Sequence, residues 1–222
     1  MVYVEENIEN QKLNKIVNAM SNNDLVIFSH TRHFWKEKHF TEEHIKKDGL
    51  KGLDKLIIGY SEFIKNNPTA KPLLVFFEYG SDVDASKELI AKLNIDKYVM
   101  WLSLMARKDI LQLINHSDIV VDALGATMWG GVGWEALASG KIFMQNIVQT
   151  DKEYYDEMGH NIPFLMRAKS AIDVEKHLTN FIKNREYYLK KSEDNREWFN
   201  KYAGIGLAKE YKEIVKELYF QK

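Results

Sequence analysis

Side chains that could bind a charged ligand follow two short apolar runs of the sequence. Residues 25–28 lead into a segment that carries Arg32, and residues 118–124 lead into a glycine-rich stretch that ends at Glu135. If these runs are strands of one parallel sheet, both segments lie at its carboxyl edge, where open sheets bind ligands. A guanidinium, a carboxylate and glycine amides together would suit a ligand with phosphates and hydroxyls.

The glycine-rich stretch before Glu135 is the most informative segment. Gly130, Gly131 and Gly133 precede a predicted helix, so the backbone there can approach a ligand closely. The amino terminus of that helix would favour phosphate through its partial positive charge. The stretch matches neither the P-loop, because no Lys-Ser or Lys-Thr follows, nor the dinucleotide motif G-x-G-x-x-G. It predicts either a phosphate-binding turn or a plain strand-to-helix turn with Glu135 in solvent.

The composition of the 222 residues excludes several classes of protein. Lysine and arginine number 31 against 32 acidic residues, so no basic excess is available to neutralise a nucleic-acid backbone. The absence of cysteine excludes disulfides and thiolate metal sites. No apolar run approaches the ~20 residues that span a bilayer, and the first residues lack the pattern of a secretory signal. The sequence therefore predicts a soluble, cytoplasmic protein.

Apolar runs and amphipathic segments alternate along the chain. The runs are short and rich in β-branched and aromatic residues, as is typical of parallel strands buried on both faces. The segments between them have helical spacing, for example at Leu53, Leu56, Ile57 and Tyr60. This alternation predicts an α/β fold with a doubly wound parallel sheet flanked by helices. The predicted strands are residues 25–28, 72–79, 97–102, 118–124 and 141–147.

Both ends of the chain are predicted to be helical. After Pro163 the apolar residues recur with helical spacing as far as Leu218, so no strand is expected there. We predict a single domain over residues 1–222. Its parts are an N-terminal helix within 1–22, a parallel α/β core over 23–165, and a tail of C-terminal helices over 166–222.

The segment 118–141, DIVVDALGATMWGGVGWEALASGK, resembles the nucleotide-sugar site of family 4 glycosyltransferases with the GT-B fold. That family typically reads E-G-F-G-x-x-x-x-E-A-M-A-x-G at this site. Aligned on Glu135, its Phe-Gly falls on Trp129 and Gly130, and its Glu-Ala-Met-Ala-x-Gly falls on residues 135–140. The resemblance covers about residues 22–220 and implies a Rossmann-like domain that forms one half of a GT-B fold.

The resemblance also implies roles for individual residues. In the family, the second glutamate of the motif binds ribose hydroxyls and the first lies close to the donor sugar. Glu135 therefore takes the ribose role, whereas Thr127 stands in place of the first glutamate. This departure affects the handling of the donor sugar more than the binding of the nucleotide.

The family's cations fall on residues before the predicted second strand. Its arginine after the first strand falls on Arg32, and its Lys-Gly pair falls on Lys51 and Gly52, so Arg32 and Lys51 are the implied catalytic residues. The loop between them is longer than the common form, which leaves Lys36 and Lys38 as alternatives for the phosphate-binding lysine. The implied donor-binding residues are Thr127, Trp129, Gly130, Gly131, Gly133 and Glu135, with Gly80 and Ser103 at the ends of the second and third strands.

The resemblance implies the donor-binding domain of a retaining glycosyltransferase of the hexosyltransferase type. Its donor would be a nucleoside diphosphate sugar and its acceptor is not specified. No cofactor or metal is expected, because the fixed cations would stabilise the leaving diphosphate. The acceptor-binding N-terminal domain of a GT-B enzyme has no counterpart here, so the chain is either an excised domain or a stand-alone half, and alone it is expected to be inactive. A peripheral membrane contact through the missing half stays open.

Three other interpretations compete with this one. A non-catalytic nucleotide-binding or interaction module of the same fold is the main alternative, and Thr127 favours it. A flavodoxin-like regulator would need an acidic cluster after the first strand, and residues 29–33 contain none. A metal site among the clustered histidines matches no acid-histidine motif, so His30 and His33 are expected to line the cleft, with His39 and His44 on an exposed loop.

Overall fold

The chain folds around one parallel β-sheet. A computed structural model describes residues 11–36, 50–125 and 130–220. In these residues the strands are β1 (Leu25–Ser29), β2 (Pro72–Phe77), β3 (Val99–Leu102), β4 (Ile119–Val121), β5 (Ile142–Gln145) and β6 (Leu165–Arg167). Their order is β3-β2-β1-β4-β5-β6, and every neighbouring pair is parallel. The strand order reverses between β1 and β4, which is the switch point where open sheets form a ligand crevice. The predicted doubly wound α/β fold is confirmed.

Helices connect the strands and cover both faces of the sheet. Within the described ranges they are α1 (Gln11–Ser21), α2 (Leu53–Asn66), α3 (Val83–Lys92), α4 (Arg107–Asn115), α5 (Gly131–Ala138), α6 (Asp151–Met158), α7 (Ala171–Lys183), α8 (Arg185–Tyr202) and α9 (Ile205–Phe220). A short 3-10 turn, Asp96–Tyr98, precedes β3. None of the described helices combines the length and the apolar character that a membrane crossing needs.

The core consists of two apolar layers, because successive residues of a strand point to opposite faces of the sheet. In β1, Leu25 and Ile27 pack with α2 and α7, whereas Val26 and Phe28 pack with α1, α4 and α5. The inner strands β1, β2, β4 and β5 are buried along their whole length. The edge strands β3 and β6 are partly exposed. The prediction that the runs are strands buried on both faces therefore holds for the interior of the sheet.

The structure corrects the sequence analysis at the ends of several elements. The expectation that the chain is all helical after Pro163 is wrong, because Leu165–Arg167 form the edge strand β6, and the sheet extends past residue 165. A strand of 3 residues is too short to produce a recognisable periodicity. The predicted strands over 72–79, 118–124 and 141–147 are also too long, because their last residues leave the ladder at the carboxyl edge. Of the predicted N-terminal helix, residues 1–10 lie outside the described part and α1 begins at Gln11.

Helix α8, the last but one of the described helices, is attached to the amino edge of the sheet. Arg185 Nη1 donates to the Asp24 carbonyl at 2.6 Å, and its Nη2 lies 2.7 Å from Asp118 Oδ1. Further along α8, the buried amide of Asn195 donates to the carbonyls of Lys141 and Phe164, both at 3.1 Å. These contacts hold α8 along the amino ends of β1, β4, β5 and β6.

Two glycines allow α2 to begin against the carboxyl end of β4. Gly52, the residue before α2, has a φ of 65°, which favours glycine. An added Cβ on Gly52 would lie 2.7 Å from the Gly125 amide nitrogen, and one on Gly125 would lie 2.2 Å from the Leu50 carbonyl oxygen. The amide of Leu124 donates to the Lys51 carbonyl at 2.9 Å across the same contact. The start of α2 is therefore fixed beside the end of β4.

This contact predicts a large difference between two glycine substitutions. Gly125→Ala should lower the free energy of unfolding by about 1–3 kcal/mol, because the new methyl group would meet backbone atoms that cannot rotate away. Gly131→Ala, at the first residue of α5, is the control, since the described residues leave open space within 4 Å of its added Cβ. Urea denaturation measures both variants. Equal unfolding midpoints for the two would contradict the close contact at Gly125.

Candidate functional site

Glu135 lies in α5 with its carboxylate buried at the carboxyl edge of the sheet, where its side chain is 8% exposed. Its Oε1 is 2.5 Å from Nη2 of Arg107, the first residue of α4. Its Oε2 is 3.0 Å from Nε2 of His30, which directly follows β1. The Arg107 side chain is 72% exposed, so the positive charge paired with Glu135 lies on the solvent side of the buried carboxylate. The interpretation that left Glu135 in solvent is therefore wrong.

Buried polar atoms of Glu135 and of the residues at the end of β1 lack a hydrogen-bond partner in the described part of the chain. The approach of His30 Nε2 to Glu135 does not have hydrogen-bond geometry, so Oε2 has no donor. The Nδ1 of His30 and the hydroxyl of Ser29, at the end of β1, are also unpaired there. Buried polar groups are normally paired, so their concentration at one place is typical of a site that receives a polar ligand.

A second buried carboxylate lies at the end of β4. Asp122 follows this strand, and the hydroxyl of Thr31 donates to its Oδ1 at 3.1 Å. An added Cβ on Gly130, the residue before α5, would lie 3.8 Å from Asp122 Oδ2. The segments after β1 and β4 and the amino terminus of α5 therefore meet at the switch point of the sheet. Gly131 opens α5, whereas Gly133 is buried inside the helix.

The two predicted catalytic cations lie on segments that contact each other. The guanidinium carbon of Arg32 is 4.8 Å from the centre of the Phe34 ring. The amide of Lys51 donates to the Phe34 carbonyl at 2.8 Å, and the Lys51 carbonyl accepts from Leu124 at 2.9 Å. The backbone of Lys51 is thus held between the segment after Arg32 and the end of β4. Arg32 and Glu135 belong to the same edge, because His30 contacts Glu135 and precedes Arg32 by two residues.

The other predicted donor-binding residues lie further along the carboxyl edge. Ser103 follows β3 and is exposed. Gly80 follows β2 and packs on backbone, since an added Cβ would lie 2.3 Å from the His33 carbonyl oxygen. No contact of either residue with Glu135 is found in the described residues. Their roles, like those of Arg32, Lys51, Gly130, Gly131, Gly133 and Glu135, stay predictions.

Some of the predicted site residues lie outside the described residues, namely Thr127, Trp129 and Lys38, together with His39 and His44. Lys36 is described, and its amide donates to Asp82 Oδ2 at 2.9 Å. Within the described ranges, no group of three or more His, Cys, Asp or Glu side chains is arranged to hold a metal ion.

His33 does not line the cleft as the sequence analysis expected. Its side chain is fully buried, with 0% exposed, against the rings of Phe76 and Trp101. Its Nδ1 lies 2.8 Å from the hydroxyl of Ser86. Burial lowers the pKa of His33 to about 4, although the nearby Asp82 carboxylate acts in the opposite direction. His33 is therefore neutral at physiological pH.

Sequence reasoning missed two residues of the site, Arg107 and the buried carboxylate of Asp122. Arg107 opens α4 and meets Glu135 only because the fold brings α4 beside α5. Asp122 lies within the predicted strand over residues 118–124, whereas β4 ends at Val121 and leaves this carboxylate at the carboxyl edge. The position of Asp122 directly after β4, at the carboxyl edge, was the only sequence signal available for it.

Comparisons with known proteins bear on the fold. No protein-family model matches the sequence, and no curated protein matches it. The C-terminal domain of the group 1 glycosyl transferase LpcC from Francisella tularensis is similar in structure, with a TM-score of 0.60 at 18% identity over 90% of this chain and 94% of that one.

Two longer proteins are similar over part of their length. HepE from Anabaena, in complex with UDP, has a TM-score of 0.65 at 15% identity over 95% of this chain, and a further HepE structure holds UDP-glucose. A glycosyltransferase from Rickettsia africae has a TM-score of 0.63 at 18% identity over 97% of this chain. The chain spans 54% of each of these two proteins. At these identities the similarities show the fold, which is that of the C-terminal domain of GT-B glycosyltransferases.

The buried His33 predicts a loss of stability in acid. Its pKa is 6.5 when unfolded and about 4 when folded, so between these values protons bind preferentially to the unfolded chain. The stability associated with neutral His33 is complete above pH 6.5 and is lost as the pH falls toward 4. The loss should amount to about 3 kcal/mol.

Urea unfolding of the wild-type chain and of the His33→Asn variant measures this loss. Asparagine does not titrate but can still donate to Ser86 from the position of Nδ1. The free energy of unfolding of the wild type, minus that of the variant, should fall by about 3 kcal/mol between about pH 7.5 and about pH 4. A difference that stays constant over this range would contradict the assignment to His33.

Proposed function

We propose that this chain is the donor-binding domain of a retaining glycosyltransferase and binds a nucleoside diphosphate sugar at the carboxyl edge of its sheet. The observation that carries the proposal is the buried carboxylate of Glu135, held between His30 and Arg107 at the switch point. A carboxylate in this position has acceptor oxygens for a pair of neighbouring hydroxyls, such as those of a ribose. The unpaired Oε2 supports this role.

The diphosphate would lie between the start of α5 and the two cations. The first amides of a helix have no carbonyl partner within the helix, and its amino terminus favours negative charge. Arg32 and Lys51 would add two positive charges on segments that meet at Phe34. As the bond between sugar and diphosphate breaks, negative charge grows on the departing phosphate, and these fixed groups would stabilise it.

The nucleotide is proposed to be UDP or a close relative. HepE, whose fold this chain shares, was solved with UDP and with UDP-glucose, which supports the same class of donor here. The chain covers about half of HepE, so the acceptor site is proposed to lie in a second domain. Transfer of a hexose would require both parts, and the chain alone is proposed to bind the donor without turnover.

Glu135→Ala should weaken UDP binding about tenfold or more, because it removes charge-assisted hydrogen bonds to the ribose. The wild type should also bind 2′-deoxy-UDP more weakly than UDP, whereas Glu135→Ala should bind the two alike. Isothermal titration calorimetry measures the four dissociation constants. The control is Glu62→Ala, which removes an exposed carboxylate on α2 and should bind UDP as the wild type does.

Failure of the wild type to bind either UDP or GDP would overturn the proposal. The proposal would also be overturned if the wild type and Glu135→Ala showed the same ratio of affinities for UDP and 2′-deoxy-UDP. Glu135 would then have no part in recognising the ribose.

The lysine that binds phosphate is proposed to be Lys51, since its backbone is fixed between Phe34 and Leu124. Lys51→Gln should weaken UDP binding about tenfold and leave uridine binding unchanged, because a cation that contacts phosphate contributes little to the affinity for a nucleoside without phosphate. Lys36→Gln and Lys38→Gln should change neither affinity by more than about twofold. NMR titrations with UDP and with uridine measure these effects. If Lys36→Gln or Lys38→Gln instead lost affinity for UDP and not for uridine, that lysine would be the one that binds phosphate.

A further inference from the structure

The hydroxyl of Ser86 is the centre of a buried hydrogen-bond network near the predicted cations. It lies in α3, is fully buried and donates to the Asp82 carbonyl at 3.0 Å. The indole N–H of Trp35 donates to it at 2.8 Å, and His33 Nδ1 lies 2.8 Å from it. A serine hydroxyl has one proton and two lone pairs, so three partners use its full capacity.

This count of protons fixes the tautomer of His33. The hydroxyl proton of Ser86 goes to a carbonyl and an indole can only donate, so His33 must donate from Nδ1. The other ring nitrogen, Nε2, then carries a lone pair and has no partner among the described residues. It lies in an apolar environment formed by Phe76 and Trp101, where an added charge would be unfavourable. Neutral His33 is thus a fixed donor to Ser86.

Asp82 holds the same segment through backbone amides. Its buried Oδ2 accepts from the amides of Trp35 at 2.8 Å and Lys36 at 2.9 Å. The amide of His33 donates to the Tyr79 carbonyl at 2.7 Å, and its carbonyl accepts from the Asp82 amide at 3.0 Å. Residues 33–36 are therefore tied to the start of α3 by both side chains and backbone.

The tied segment connects directly to both proposed cations. Arg32 precedes it and lies over the ring of Phe34, a member of the segment. The Phe34 carbonyl accepts from the Lys51 amide at 2.8 Å. From these contacts we infer that Ser86, together with His33 and Asp82, positions Arg32 and Lys51 for the diphosphate of the donor. Ser86 touches neither cation, so it is a positioning residue; this inference rests on the proposed function.

The inference predicts that Ser86 matters for the diphosphate and not for the nucleoside. Ser86→Ala leaves two buried N–H donors unpaired, so the segment and the cations should lose their fixed spacing. UDP binding should weaken about tenfold while uridine binding stays unchanged, because only the diphosphate contacts the displaced cations. NMR titrations with both ligands measure the two affinities.

Three further variants separate positioning from a general effect on folding. Ser61→Ala removes another fully buried hydroxyl, one without a hydrogen-bond partner in the described residues, and should bind UDP as the wild type does. His33→Asn keeps a donor near the position of Nδ1 and should retain UDP affinity within about threefold, whereas His33→Leu should lose it like Ser86→Ala. If Ser86→Ala does not fold, Trp35→Phe removes a single donor to the same hydroxyl and should show the same selective loss at a smaller factor.

The outcomes distinguish this inference from the proposed function. A wild-type chain that binds no nucleotide would overturn the proposed function and the positioning role with it. If the wild type binds UDP and the variants Ser86→Ala and Trp35→Phe bind it equally well, the positioning role alone is overturned. The same follows if these variants lose affinity for UDP and for uridine to the same extent. Faster hydrogen exchange at the amides of His33, Trp35 and Lys36 in the weakened variants would support it, and unchanged exchange would count against it.

Discussion

Burying a carboxylate is unfavourable unless charge or hydrogen bonds compensate for the lost hydration, and Glu135 imposes this requirement on the site. The compensating charge comes from Arg107, which opens α4, while His30, which follows β1, lies 3.0 Å from the other carboxylate oxygen without donating to it. Three separate parts of the chain must therefore meet at the switch point for α5 to pack with Glu135 inward. The contacts that form the site are therefore the same contacts that allow α5 to pack against the sheet.

The strand order supplies the meeting point. In a parallel sheet all carboxyl ends lie at one edge, and the crossover between β1 and β4 opens a crevice there. Arg185 and Asn195 attach α8 to the amino edge, and the end of α8 and the start of α9 line a cavity together with Arg107 and Glu135.

The sequence was sufficient to predict the fold class, because the inner strands are buried on both faces and their apolar runs are unambiguous. It was insufficient for β6, whose 3 residues produce no periodicity. The position of Glu135 at a strand-to-helix turn could be read locally, but whether it was buried could not. Its pairing with Arg107 joins two helices that the sequence does not place side by side. His33 was misplaced for the same reason, since its burial depends on Ser86 and Trp101, which belong to different elements.

The loops at the carboxyl edge are interlocked through backbone atoms. The turn at Gly80 lies against His33, and the segment before α2 lies against Gly125. A loop that is anchored on its neighbours cannot be exchanged by itself, because a replacement would have to reproduce the backbone contacts on both sides. A change in ligand preference would therefore be easiest to obtain by replacing the loops after β1, β2 and β4 together. The alternative is to change side chains and leave the main chains of these loops in place.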